Sequence, residues 1–130
     1  LVVACGNDVM RPTGMAKLCA GRAEAGAMKQ EPGGRVGLMP CGNVGHAPFF
    51  LPRLTWWLDS RSKGMHAIAQ SVASNGGARY IRLLQPKESD PFVLRSKEMN
   101  AADGLHPSST GYHHWYTELV RQGGLGGFAH

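Results

Sequence analysis

Three short strand-like runs, set far apart and separated by stretches of helical spacing, constrain this chain more than any other feature. The first, Leu1-Val2-Val3-Ala4-Cys5, has no polar residue alternating with its apolar ones. A strand that is apolar at every position is buried on both faces, and such strands belong to parallel sheets covered by helices. The second run is Arg35 to Met39, ended by Pro40, and the third is Arg79 to Leu84. Between the first two, Met15, Leu18, Cys19 and Met28 have partial helical spacing, and Pro32-Gly33-Gly34 stops the segment. Gly14, Gly21 and Gly26 each weaken that helix by up to about 1 kcal/mol relative to Ala. Between the second and third runs, Pro52 suits a first helical turn. Leu54, Trp57, Leu58, Met65, Ile68 and Val72 then share one predicted apolar face, with both Trp read as core and rim, and Asn75-Gly76-Gly77 reads as the stop. Strand, helix, strand, helix, strand predicts an α/β fold with right-handed crossovers.

Chemistry-bearing residues fall after the strand ends. Asn7 follows the first run, Asn43 and His46 follow the second, and Asp103 and His106 follow the third after a stretch, Gln85 to Ala102, that reads as a long loop. A parallel sheet gathers such positions at one edge, where open α/β sheets bind ligands. In Asp103-Gly104-Leu105-His106-Pro107-Ser108 a carboxylate stands three residues before an imidazole, with a Gly between them. Folded back, Asp103 accepts the Nδ1–H of His106, which fixes the tautomer and leaves Nε2 as a base. The alternative is a structural His in a capped loop. Ser108 or Ser109 can then cap a final helix with Tyr112, Trp115, Tyr116, Leu119 and Val120 on its predicted apolar face.

Composition narrows the class. The 130 residues suffice for one domain, with 1–122 as the folded part and a flexible Gly-rich tail at 123–130. Apolar residues make up 42% and no run approaches a membrane span. The formal charge is +5, but the Lys and Arg are scattered, and the basic stretch around Trp56 and Trp57 reads as an amphipathic helix rather than a nucleic-acid surface. Cys5, Cys19 and Cys41 are odd in number and lack metal spacing, so neither a disulfide framework nor a zinc site is expected, only buried thiols. No cofactor or metal is implied. His113 and His114 diverge on a helix by about 100° and do not form a metal pair with Asp103 and His106.

Cys5-Gly6-Asn7-Asp8 after a strand, and Asp103 to His106 continuing into Pro107-Ser108 and Gly111-Tyr112, together resemble the third and last sequence blocks of the SGNH (GDSL-type) hydrolase superfamily of esterases and lipases. Gly37-Leu38-Met39-Pro40 between them looks like that family's fourth strand and its following loop. The resemblance implies a three-layer α/β/α, flavodoxin-like fold with a parallel sheet in the order 2-1-3-4-5, of which about three of the five strands are present here. It implies hydrolysis of a small-molecule ester, with His106 as base, Asp103 as its orienter and the Asn7 amide as an oxyanion donor. The loop of Asn43 and His46 would lie beside the substrate, with Phe49, Phe50 and Leu51 as an acyl-binding wall.

Two departures qualify it. Cys5 stands where the third block has Gly, and the Gly-Asp-Ser block that carries the nucleophile is absent, as is the second block with its oxyanion Gly. The chain also opens inside a strand, without an initiator Met. The expectation is therefore the carboxyl-terminal portion of a longer esterase, with no compartment implied, or a non-catalytic ligand-binding remnant of the same fold. Ser108 and Ser109 stand beside His106 in sequence but are better used as helix caps; Cys5, which shares a strand face with Asn7 if the strand persists, is the sharper candidate to replace the Ser, against the simpler reading of a buried strand Cys. Without its two preceding strands, the first strand would expose an apolar edge, so self-association through it is expected.

Overall fold

The computed structural model describes residues 2–4 and 37–123. Their elements are β1 (Val2–Ala4), β2 (Gly37–Pro40), a 3-10 turn (Val44–His46), α1 (Pro52–Gly76), β3 (Arg79–Tyr80), α2 (Pro91–Leu94), α3 (Ser96–Met99) and α4 (Ser109–Gly123). The strands form one sheet in the order β1-β2-β3, and both pairings are parallel. Val2 lies opposite Leu38 and Ala4 opposite Pro40, while Leu38 also lies opposite Tyr80. The chain is thus a mixed α/β structure built on a small parallel sheet. The predicted helix over 14–30, the start of the second strand and the tail beyond Gly123 lie outside the described residues.

β2 is the middle strand, and Leu38 and Met39 are both buried. Neighbouring residues on a strand point to opposite faces, so both faces of β2 are covered. Met39 packs with Ile81 and Leu83, against Trp115 and Leu119 of α4. A second cluster joins Cys41, Val44, Leu58 and Met65, with Phe50 and again Trp115 against it. Trp115 therefore ties the sheet cluster to the cluster under α1. Each large apolar side chain fully buried in this way contributes roughly 1.5–3 kcal/mol. Pro40 is the last residue of β2 rather than the residue after it; having no N–H to donate, it suits a strand end.

α1 begins as its sequence predicts, with Pro52 in the first turn, and ends at Gly77, whose φ of 67° closes the helix in the left-handed region. Its buried face differs from the predicted one. Leu58 and Met65 are buried, but Leu54, Trp56 and Trp57 are exposed, and the buried stripe runs on through Ser62, His66, Ala69 and Ala73. Ser62 and His66 are buried because they hold the loop after β2. The Ser62 hydroxyl accepts from the Val44 N–H at 3.1 Å, and His66 Nε2 donates to the Cys41 carbonyl at 2.7 Å. Two polar side chains thus take core positions and the apolar face is displaced around the helix.

The third strand is also shorter than predicted. Only Arg79–Tyr80 pair as a strand, although the Ile81 N–H still donates to the Leu38 carbonyl at 2.8 Å. The predicted loop over 85–102 contains two helical turns, α2 and α3. Asp90 starts α2 by accepting from the Phe92 N–H at 2.9 Å, with Pro91 in the first turn. In α4, Tyr112 and Tyr116 of the predicted apolar face are exposed, and Trp115 and Leu119 make the packing contacts. Gly111 is buried there, against Met99, Phe92 and Pro107. Among the described residues, no helix is long and apolar enough to cross a membrane.

Candidate active site

The turn between α3 and α4 closes on itself before it contacts anything else. The Ser108 N–H donates to the Met99 carbonyl at 2.8 Å, the Ala101 N–H to the His106 carbonyl at 2.8 Å, and Asn100 bridges Pro107 in antiparallel fashion. The Gly104 N–H returns to the Ala101 carbonyl at 3.0 Å, and Gly104 has a φ of 68°, a conformation an L side chain rarely adopts. That reversal brings Asp103 and His106 together. Asp103 Oδ2 accepts from His106 Nδ1 at 2.6 Å, while Oδ1 accepts from the Leu105 N–H at 2.9 Å and from the His106 N–H at 3.0 Å. The His106 side chain and these two backbone N–H groups hold the Asp103 carboxyl well below the usual range, at about 2.

With Nδ1 donating to Asp103, a neutral His106 presents the lone pair of Nε2. The His106 side chain is 62% exposed, and no protein group among the described residues takes that nitrogen. An oriented imidazole with an open Nε2 can accept a proton from a nucleophile and return it to a leaving group. Ser108 beside it is already engaged: its hydroxyl accepts from the Gly111 N–H at 3.1 Å and donates to the Glu98 carbonyl. It caps α4, as one of the two sequence alternatives has it. Asn7 and Cys5 lie outside the described residues.

Asn43 and His46 do not stand open beside this turn. Both are turned inward, in a polar network that spans the loop after β2, α1 and the start of α2. His46 Nδ1 donates to Asp90 Oδ2 at 2.5 Å, and its Nε2 lies 3.9 Å from Asp59 Oδ1. Asn43 donates from Nδ2 to the same Asp59 oxygen at 2.5 Å and accepts from the Gly45 N–H at 2.9 Å. Burial pushes the Asp59 carboxyl up, but hydrogen bonds from Lys63 and Asn43 and the Lys63 and His46 charges outweigh it and hold the group below its ordinary value. Among the described residues, two Asp–His pairs differ in character. One is local and exposed, with no described group on Nε2; the other joins residues far apart, is buried, and has carboxylates on both sides of the ring.

A third imidazole, His66, bridges the Cys41 carbonyl and the Tyr80 hydroxyl, linking α1 to the sheet. Burial disfavours its charged form and the Arg82 charge adds to this, so its pKa lies below the ordinary 6.5 despite the Cys41 carbonyl. Ser62, His66, Asp59 and Asp90 are not legible as a linked set because Val44, Cys41, Asn43 and His46 lie far along the chain; the local signs are Asp59 and Lys63 at i,i+4 on a helix and Asp90-Pro91 as a helix start.

Phe50 of the predicted acyl-binding wall packs into the core, whereas Phe49 and Leu51 are exposed. The Phe49 N–H donates to the Gly104 carbonyl at 3.1 Å, so this loop does border the Asp103–His106 turn. Among the described residues, no group of three or more His, Cys, Asp or Glu side chains is placed to hold a metal ion. No protein-family model matches the chain, and neither a curated protein nor a solved structure matches it.

Proposed function

We propose that this chain carries the base and orienter of an ester hydrolase of the SGNH (GDSL) type, on a three-layer α/β/α, flavodoxin-like fold. The observation that carries the reading is the Asp103–His106 pair: a 2.6 Å bond to Nδ1, a second carboxylate oxygen held by two backbone N–H groups, and an exposed ring with Nε2 open. Further support comes from position. The pair follows the last described strand and precedes the final helix, and β1-β2-β3 are parallel neighbours.

In this mechanism a Ser hydroxyl, contributed from outside these 130 residues, attacks the ester carbonyl. Nε2 of His106 takes the hydroxyl proton and then delivers it to the leaving alcohol oxygen. Asp103 keeps the proton on Nδ1 and stabilises the imidazolium between these transfers. The Asn7 side-chain amide donates to the oxyanion, a contribution of about 3–4 kcal/mol at the transition state. The test is hydrolysis of short- and medium-chain p-nitrophenyl esters by the full gene product. Activity that His106→Ala lowers by at least about a hundredfold supports the reading.

The second reading, a non-catalytic protein that binds an acyl or carbohydrate ligand in the same place, is favoured by the absence of a Gly-Asp-Ser block from the 130 residues. Saturable ligand binding without turnover, in a full gene product that also lacks the block, would establish it and exclude the hydrolase.

A further inference from the structure

β3 is the last strand of the described sheet, and just past its end a side chain lies where a further strand would pair. Successive residues of a strand turn their backbone polar groups to opposite neighbours. The Ile81 N–H donates to the Leu38 carbonyl of β2, so Arg82 turns its own N–H and carbonyl outward. Both are taken by the carboxamide of Gln122, near the end of α4. The Arg82 N–H donates to Gln122 Oε1 at 2.7 Å, and Gln122 Nε2 donates to the Arg82 carbonyl at 2.9 Å. A residue on an antiparallel neighbour would make the same two bonds, accepting one N–H and donating another. A carboxamide can stand in for it because donor and acceptor sit side by side on one planar group.

The carboxamide is held from behind as well. Gln122 Nε2 also donates to Glu118 Oε2 at 2.7 Å, one turn earlier on α4, and Arg121 donates to that same oxygen at 2.6 Å. The Gln122 backbone carbonyl, which the end of the helix leaves without an intrahelical partner, accepts from Arg79 Nη1 at 3.0 Å. A reversed amide would set Nε2 against the Arg82 N–H and Oε1 against the Arg82 carbonyl, so these partners fix its orientation. Beneath them Leu119 packs against Met39, Ile81 and Leu83, which lays the last turns of α4 along the sheet.

The segment so covered has the sequence of a longer strand. Arg79-Tyr80-Ile81-Arg82-Leu83-Leu84 alternates, with Ile81 and Leu83 buried, yet only Arg79–Tyr80 pair as β3. An apolar segment that presents open N–H and carbonyl groups pairs with another chain, and the strand every molecule can offer is the same segment of a second copy, about a twofold axis. We infer that Gln122 is an edge cap: its carboxamide takes the place of a neighbouring strand at Arg82 and keeps this segment from pairing with its counterpart in a second copy. The cap does not depend on the hydrolase reading.

The test compares the full chain with its Gln122→Ala form, by amide hydrogen exchange and by sedimentation over a range of concentrations. In the variant the Arg82 amide should lose protection by about tenfold or more. The Ile81 amide, bonded to Leu38, should lose no more than the global change in stability accounts for. Self-association should rise above that of the unsubstituted chain. Adding Arg82→Pro should bring it back down, because a proline there removes the outward N–H and spares the bond to β2. Gln122→Met keeps the length of the side chain without its amide, and should behave as Gln122→Ala does. Unchanged protection of Arg82, or an equal loss at Arg82 and Ile81, would overturn the cap and leave Gln122 an ordinary packing residue. Association no greater than in the unsubstituted chain, or association that survives Arg82→Pro, would overturn pairing through this edge.

Discussion

The Phe49 N–H donates to the Gly104 carbonyl at 3.1 Å, and this bond fastens the loop after β2 to the turn that orients His106. The approach at Gly104 is tight for a side chain: a Cβ there would lie 3.3 Å from Phe49 N and 3.4 Å from Pro48 Cγ, so these neighbours would have to shift slightly. The Gly104 φ of 68° adds the cost of a left-handed backbone. Gly104→Ala should therefore destabilise the protein by about 1–2 kcal/mol, read from urea unfolding. The Phe49 amide should also lose hydrogen-exchange protection by more than the global loss accounts for.

Gly111 makes the opposite case to a helix glycine in solvent. There, replacement by Ala would stabilise α4 by up to about 1 kcal/mol. Here the new Cβ would stand 2.3 Å from the Met99 carbonyl oxygen and 3.0 Å from Phe92 and Pro107 side-chain atoms. The Met99 carbonyl is itself held by the Ser108 N–H, so the backbone is not at liberty to move aside. Gly111→Ala should destabilise by about 1–3 kcal/mol, and an increase in the urea midpoint would show that α4 does not sit this close to α3.

Asp103 and His106 should report their pairing at low pH. The carboxyl titrates at about 2 in the folded protein, against an ordinary 3.8. A depressed folded value means that the carboxylate supports the fold above the unfolded value and that this support is lost as pH falls through the folded one. Carbon-13 chemical shifts of the Asp103 carboxyl should therefore show a midpoint near 2 rather than near 4, and His106→Ala should raise it. If the hydrolase reading holds, Asp103→Asn lowers kcat by up to about ten-thousandfold, because an Asn can hold the ring in the wrong tautomer.

His66 predicts pH dependence in another window. Its folded pKa is lowered from 6.5, chiefly by burial, so the unfolded chain takes up the proton first. Stability should then decline as pH falls below about 6.5, toward the folded value. His66→Gln keeps a donor for the Cys41 carbonyl and an acceptor for the Tyr80 hydroxyl but does not titrate. Thermal unfolding at pH 7.5 and 5.5, compared between the two proteins, measures the contribution; an equal drop in both would assign it elsewhere.

The sequence made some of this legible for local reasons. Pro52 and Gly77 mark the ends of α1 through their own backbone limits, and Asp103 meets His106 because a Gly at a left-handed turn lies between them. The displaced face of α1 had no such sign. Ser62 and His66 are polar in sequence and buried in the fold because the Val44 N–H and the Cys41 carbonyl, about twenty residues earlier, need partners there. Trp56 and Trp57 read as core and rim by type, and both are exposed. The inward turn of His46 was equally hidden, since Asp90 stands 44 residues away.

Residues 99–108 are stitched shut at their stem, by Ser108 to Met99 and Asn100 to Pro107, and again inside it, by Ala101 to His106. The geometry of the acid–imidazole couple is thus written into a short closed circuit and owes little to the sheet beyond. Such a segment is a portable cassette. Moved onto another scaffold whose two helical ends match the spacing of α3 and α4, it would carry the hydrogen bonds that orient its imidazole and would leave behind the Phe49 to Gly104 tie that the rest of this chain supplies.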